Sequence, residues 1–282
     1  MASLLQLKSR IKAAQNVSKT TKAMQMIAAS KLKRAQLAAL SGRPYVTKLE
    51  TLTRNVARKI EQKDRPAYLE QRFDTKKTLV IFLAPDKGLC GGLITNLLRE
   101  FLRNVQNENN SYVVIGKKVE GYVTRLEKDV IANFNFGTTL PSFEMIYPII
   151  KLIDDYFPEK VDSVKILSAH FTSIFTQTPK IDTILPIQLT SGEEPDESFY
   201  IFEPNVKVLL PSLLKHYLEM TIYQHLLESH VSEQAARMIS MQNATNNAND
   251  IIEDLRLEYN KTRQTKITGE ILDIVGSKIQ AV

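Results

Sequence analysis

Cysteine is almost missing from this chain. Of 282 residues only Cys90 is one, which rules out a disulfide framework and fits a reducing compartment. No run of 18 apolar residues occurs, so no helix is expected to cross a membrane. The opening residues give way at once to Lys8, Arg10 and Lys12, which leaves no apolar core for a secretory signal. No carboxylate precedes Glu50, although ten Lys and Arg do. The four histidines, His170, His216, His225 and His230, show neither an HExxH nor a Cys/His spacing, so no metal site is expected. Glycine and proline are absent from Met1 to Ser41, and again between Pro211 and Gly269.

What remains is an ordinary soluble composition, 43% apolar and 24% charged. The net charge of +6 is unevenly spread: residues 1–65 carry +12, residues 66–204 carry −5 and residues 205–282 carry −1. The N-terminal segment therefore expects a negatively charged neighbour, be it nucleic acid, anionic lipid or the acidic face of a protein.

The two segments poor in glycine and proline read as long helices. In the first, Leu4, Leu7, Ile11, Ala14, Thr21, Met24, Ala28, Leu32, Ala35 and Ala39 recur at steps of three and four, interrupted once, at Ser18. Gly42 and Pro44 invite a bend or a short break, after which the pattern resumes through Leu49, Leu52, Val56 and Ile60 until Arg65-Pro66. In the second, the stripe runs Leu213, Tyr217, Met220, Gln224, Leu227, Val231, Met238, Met241, Thr245, Ala248, Ile252, Leu255 and Tyr259. Between them the period changes. Residues 78–84 form a continuous apolar run, as in a strand buried on both faces, followed by the turn-rich Asp86-Lys87-Gly88-Leu89-Cys90-Gly91-Gly92. A helix over 93–105, strands over 112–115, 130–136, 163–175, 181–189 and 199–202, and a helix over 142–156 complete a largely parallel α/β domain.

Length sets the expected architecture. Helices of about 60 and about 75 residues span roughly 90 and 110 Å, whereas a domain of about 140 residues is on the order of 40 Å across. The helices must then project from the domain, pair antiparallel and cover each other's stripes. The expected fold is α/β: a long antiparallel two-helix coiled coil (1–65 with 205–282) plus a central Rossmann-like domain (66–204). Ile267, Ile271, Leu272, Ile274, Val275, Ile279, Ala281 and Val282 crowd the final turns, too wide an apolar surface for one helical partner, and imply a receiving socket on another protein.

Four motifs carry a family resemblance. Ser9-Arg10-Ile11-Lys12-Ala13-Ala14-Gln15-Asn16 with 20–31, the block 86–93 with Thr95-Asn96, Ser232-Glu233-Gln234-Ala235-Ala236-Arg237-Met238, and Leu257-Glu258-Tyr259-Asn260-Lys261-Thr262-Arg263-Gln264 together resemble the gamma subunit family of the F-type ATP synthase. The resemblance implies a non-catalytic rotor shaft inside a ring of alpha and beta subunits, its foot on the epsilon subunit (or its organellar equivalent) and the membrane c ring. Proton flow turns the c ring and the shaft with it, so that the catalytic sites of the beta subunits cycle. It implies contacts to the alpha/beta ring from Lys22, Met24, Arg237, Arg263 and Gln264, with a forked guanidinium at Arg263 suited to an acidic loop. It also implies an apolar tip of Ile271, Leu272, Ile274, Val275 and Ile279 in a sleeve, and a foot contact at Tyr200 and Glu203. No cofactor, no metal and no nucleic acid is implied, and the membrane is met only through partners. The place implied is the cytoplasmic face of a bacterial cell membrane, with the matrix side of the mitochondrial inner membrane as the alternative.

The chain departs from the family pattern at Thr268-Gly269-Glu270-Ile271, where Gln is usual before Glu270, and at Lys87 and Ile94. The paired-cysteine insert of chloroplast forms is absent. Other readings are open to the same residues. The 86–92 turn lies between a strand and a helix, as a phosphate loop would, but lacks the Gly-Lys-Ser/Thr ending. Cys90 fits a small packing residue better than a nucleophile. A coiled-coil nucleic-acid binder with an α/β domain would explain the basic segment, but not the apolar end.

Overall fold

The computed structural model describes residues 3–61, 64–70, 77–104, 110–188, 202–203 and 205–279, with side chains described through 272. Compactness divides the chain into two units, residues 29–237 and residues 1–28 with 238–282. Helices α1 (Leu4–Ala57) and α5 (Val206–Ile279) contribute to both.

In the larger unit the apolar run becomes β1 (Thr78–Leu83), the centre of a five-stranded sheet. It is followed by α2 (Leu93–Asn104), β2 (Ser111–Ile115), α3 (Lys117–Arg125), β3 (Asp129–Phe134), α4 (Tyr147–Tyr156), β4 (Ser163–Phe171) and β5 (Gln177–Leu185). The strand order is β3-β2-β1-β4-β5, parallel except for the antiparallel β4–β5 hairpin. Alternation along β1 serves two cores at once. Leu79, Ile81 and Leu83 pack with Ile149, Ile153, Leu214 and Leu218 on one face. Val80 and Phe82 pack with Leu97, Phe101, Val119 and Val123 on the other, where the Phe82 and Phe101 rings stack 5.2 Å apart. A strand covered on both sides must be apolar at every buried position, and this one is from Leu79 to Leu83.

The sequence reading is corrected at several points. α1 ends at Ala57 rather than near Arg65, because its last turns tighten: Lys59 N–H donates to Val56 O and Ile60 N–H to Ala57 O, which turns Ile60 into the core. α1 is unbroken at Gly42 and Pro44. The missed helix α3 buries only Val119 and Val123 and contains Gly121, too little periodicity to stand out. A turn at 172–176 starts β5 at Gln177 instead of residue 181. Of the strand expected over 199–202, residues 199–201 lie outside the described residues, and Phe202 is not in a strand. Along α5 the most deeply buried row against the sheet is Leu210, Leu214, Leu218, Ile222 and Leu226, none of them in the expected stripe, of which Leu213 and Tyr217 are only partly buried.

In the smaller unit the two helices pair antiparallel. Ser18 Oγ donates to Asn249 Oδ1 at 2.7 Å, and the hydroxyls of Thr21 and Thr245 meet at 2.8 Å. Leu7, Ala28, Met241, Ala248, Ile252 and Leu255 are buried, all residues of the expected stripes. Ser3 and Gln6 form a reciprocal capping box at the start of α1.

One glycine is indispensable to the sheet. Gly116 has φ +114°, and a Cβ there would lie 2.0 Å from the Ala84 carbonyl oxygen. Its closeness lets the β1 and β2 exits run side by side, with Ala84 N–H on Ile115 O at 2.8 Å. Gly116→Ala is therefore expected to destabilise the chain by about 3 kcal/mol or more, since dihedral strain and backbone overlap add. Thermal unfolding followed by circular dichroism checks this; an unchanged midpoint would contradict the packing described.

Candidate functional site

In open parallel sheets the crevice beyond the carboxyl ends of the strands, where the strand order reverses, is the customary ligand position. Here that place lies between β1 and β4, and the chain fills it with its own helix. Residues 231–237 of α5 are buried at every position, which no single-faced amphipathic helix would need. Ser232 Oγ donates to Ala169 O near the end of β4 at 3.0 Å. Arg237 Nη2 donates to Lys87 O at 3.0 Å and Gly88 O at 3.3 Å, both in the turn after β1. The same nitrogen is 2.7 Å from Glu233 Oε1, one helical turn back. Two motifs 150 residues apart in sequence are thus one structure.

The turn is shaped for this guest. Leu89 and Gly91 have φ of +65° and +58°, and Cys90 drops into the core beside α2, where burial raises its thiol pKa. Asp86 ties the neighbouring loops, accepting from Lys117 N–H at 3.0 Å and Gly137 N–H at 2.5 Å. The carbonyls of Lys87 and Gly88 point at a cation, the opposite polarity to a phosphate cradle. A cavity of about 50 Å³ remains beside it, bordered by Asp86, His230 and Glu233 among others; small-molecule sites are usually several-fold larger. Lys31 Nζ of α1 donates to Thr138 O at 2.7 Å, fastening the loop after β3.

Arg237, expected to face a partner, is 8% exposed in this chain, and with Nε and Nη2 engaged by Lys87, Gly88 and Glu233 it is an internal tie. The other expected contacts are on the surface. Lys22 is exposed, its Nζ 3.3 Å from Gln25 Oε1, and Met24 is half-buried. Arg263 and Gln264 are exposed, and among the described residues neither side chain has a hydrogen bond or ion pair within the chain. Ile271 and Leu272 are 56% and 65% exposed, and Ile267 is exposed beside them. The side chains of Ile274, Val275 and Ile279, and all of Tyr200, lie outside the described residues; Glu203 is exposed. Gly269 sits within continuous helix with open space around it. Lys8, Arg10, Lys12, Lys19 and Lys22 are all exposed, so the basic character of α1 in the smaller unit is surface character. Sequence reasoning quoted Asp86 and Ser232 within motifs but assigned neither a role; only their partners across the fold reveal one.

A family model described as ATP synthase matches residues 3–279. An ATP synthase gamma chain of Dehalococcoides mccartyi (strain BAV1) is 39% identical over 281 residues, covering 98% of both chains. One from Polynucleobacter asymbioticus is 39% identical over 286 residues at the same coverage. Among solved structures, a chain of the Euglena gracilis mitochondrial ATP synthase (OSCP/F1/c-ring) is similar with a TM-score of 0.71 at 17% identity, covering 97% of this chain and 93% of that one. A chain of the Tetrahymena thermophila mitochondrial ATP synthase central stalk has a TM-score of 0.60 at 24% identity, covering 80% and 99%.

Two predictions follow from the filled crevice. Arg237→Ala strands Glu233 in a buried place and is expected to destabilise the chain by about 3–5 kcal/mol, as for other broken buried pairs. Urea unfolding measures it, and Arg237→Lys should recover part of the loss. The second concerns pH. His230 is pushed down to about 4, mainly by burial and further by the Lys31 and Arg237 cations. Below its ordinary value of 6.5 the unfolded chain takes a proton that the folded chain refuses. Stability from this group is therefore complete above that value and falls as pH drops towards 4, by at most about 3 kcal/mol. His230→Gln should flatten this part of the stability profile between those values; an identical profile would contradict it.

Proposed function

This chain belongs to the ATP synthase gamma-chain family, and from that premise we propose that it is the central rotor shaft of a rotary ATP synthase. It is a non-catalytic subunit: it turns with the membrane c ring, works with an epsilon subunit or its equivalent, and drives the catalytic beta sites of the alpha/beta hexamer through their cycle. The observation that carries the reading is the surface of the last described turns of α5, where Arg263, Gln264, Ile267, Ile271 and Leu272 stand exposed together. An apolar surface of that kind is stabilised only by a partner that receives it.

The larger unit supplies a mechanical basis. A shaft must take load from its globular part into its helices without slipping. Arg237 on the β1 turn, Ser232 on β4 and Lys31 on the loop after β3 join sheet to helices by directed polar bonds rather than by apolar contact alone. Apolar contact resists separation but slides at little energetic expense, since it has no preferred direction. Hydrogen bonds to a charged group are directional and roughly twice as strong as neutral ones.

Contacts to the ring are assigned to Lys22, Met24, Arg263 and Gln264, the sleeve contact to Ile271, Leu272, Ile274, Val275 and Ile279, and the foot contact to Tyr200 and Glu203. Functionally the chain divides into a shaft of 1–65 with 205–282 and a foot domain of 66–204. The chain is part of the membrane-associated F1 complex, and among the described residues no helix is long and apolar enough to cross a membrane. The cytoplasmic face of a bacterial cell membrane is the proposed place, supported by the bacterial source of the similar gamma chains.

Adding this chain to alpha and beta subunits should raise their ATPase activity sharply; folded protein that fails to do so would overturn the reading. Arg263→Ala should leave the unfolding free energy of the isolated chain within about 0.5 kcal/mol, as for an exposed residue. In the assembled enzyme it should lower ATP-driven proton pumping. Equal loss in both assays would contradict a role in partner contact.

A further inference from the structure

α1 stays helical where its sequence least supports a helix. Gly42 gives the backbone its widest freedom, and Pro44 leaves the Leu40 carbonyl without its helical donor. Residues 39–45 are nevertheless continuous helix. Three side chains of α5 meet this stretch. Gln224 Nε2 donates to Ala39 O at 3.1 Å and to Glu228 Oε1 at 3.2 Å. Arg43 Nε lies 3.0 Å from the same Glu228 oxygen, and the Tyr45 hydroxyl lies 2.8 Å from His216 Nε2. The other oxygen of Glu228 is 2.7 Å from His170 Nδ1, on β4.

Gly42 belongs to this arrangement. A Cβ there would stand 2.7 Å from Gln224 Oε1, so the missing side chain is what admits the amide. Arg43 and Tyr45 are 41% and 48% exposed, and pairs so open to water hold weakly. Gln224 is half-buried and reaches a main-chain carbonyl of the weak stretch itself. We propose that Gln224 is a positioning residue for torque transfer, which keeps α1 helical across Gly42 and Pro44 and joins that stretch through Glu228 and His170 to the sheet. Load on the sheet then passes to both helices instead of being absorbed where α1 is weakest. The torque role rests on the rotor reading above; the joint itself does not.

Hydrogen exchange on the full chain tests the joint. Gln224→Met keeps length and helix propensity but removes the amide, and should speed exchange at the Tyr45, Val46 and Thr47 amides about tenfold or more, as local opening becomes easier. Adding Pro44→Ala restores the missing donor and should return exchange to the wild-type rate. Unchanged exchange in the single variant, or no rescue in the double, overturns the proposal. In the assembled enzyme, protons pumped per ATP hydrolysed should fall for Gln224→Met and recover in the double variant. Fast exchange with normal pumping would overturn the torque role. If the wild-type chain itself fails to stimulate the hexamer, the rotor reading fails while the exchange result still decides the joint.

Discussion

The guanidinium of Arg237 is the contact on which the larger unit turns. It lies across the carboxyl edge of a parallel sheet, takes two carbonyls from the turn after β1, and is balanced by Glu233 within its own helix. A buried ion pair gains little over an apolar pair of the same shape, because both charges must leave water. What it adds is direction. With the two carbonyls as acceptors there is one rotation of α5 and one height along it that satisfy the cation, so the helix is indexed to the sheet. Ser232, one turn and a fraction earlier, repeats the indexing on the adjacent strand.

This arrangement turns a common fold to another purpose. The position that a doubly wound sheet ordinarily leaves for a ligand is taken up by a segment of the same chain. The glycine-rich turn, which elsewhere would present N–H groups to an anion, here presents oxygens to a cation. The polar groups left in the remaining small cavity feel that choice: burial and two neighbouring cations hold His230 neutral, and burial raises the Glu233 pKa although Arg237 draws it down.

Helix strength is distributed on the same logic. α1 carries its least helical residues, Gly42 and Pro44, where side chains of α5 reach it, and a helix so placed owes its continuity to tertiary contacts rather than to propensity. Interior Gly and Pro cost roughly 1 and 3 kcal/mol relative to Ala, comparable to what a few polar contacts and a covered apolar stripe restore. In the smaller unit the two polar rungs, Ser18 with Asn249 and Thr21 with Thr245, interrupt an apolar seam. Polar pairs in such a seam oppose sliding, since a shift leaves them unpaired.

Composition and period alone determined much. Two long helices, an α/β middle, a basic first segment and an apolar end follow from residue spacing, because helix and strand burial impose periods of 3.6 and 2 that a linear text preserves. The four motifs identified the family. The tertiary structure decided the rest. That Arg237 turns inward, that Gly42 makes room for Gln224 instead of breaking α1, that Gly116 is forced by the Ala84 carbonyl, and that α5 buries Leu210, Leu214 and Leu218 against the sheet all depend on partners tens to hundreds of positions away. A residue's period tells which face it lies on, but what meets that face, and with which polarity, exists only once the chain has closed on itself.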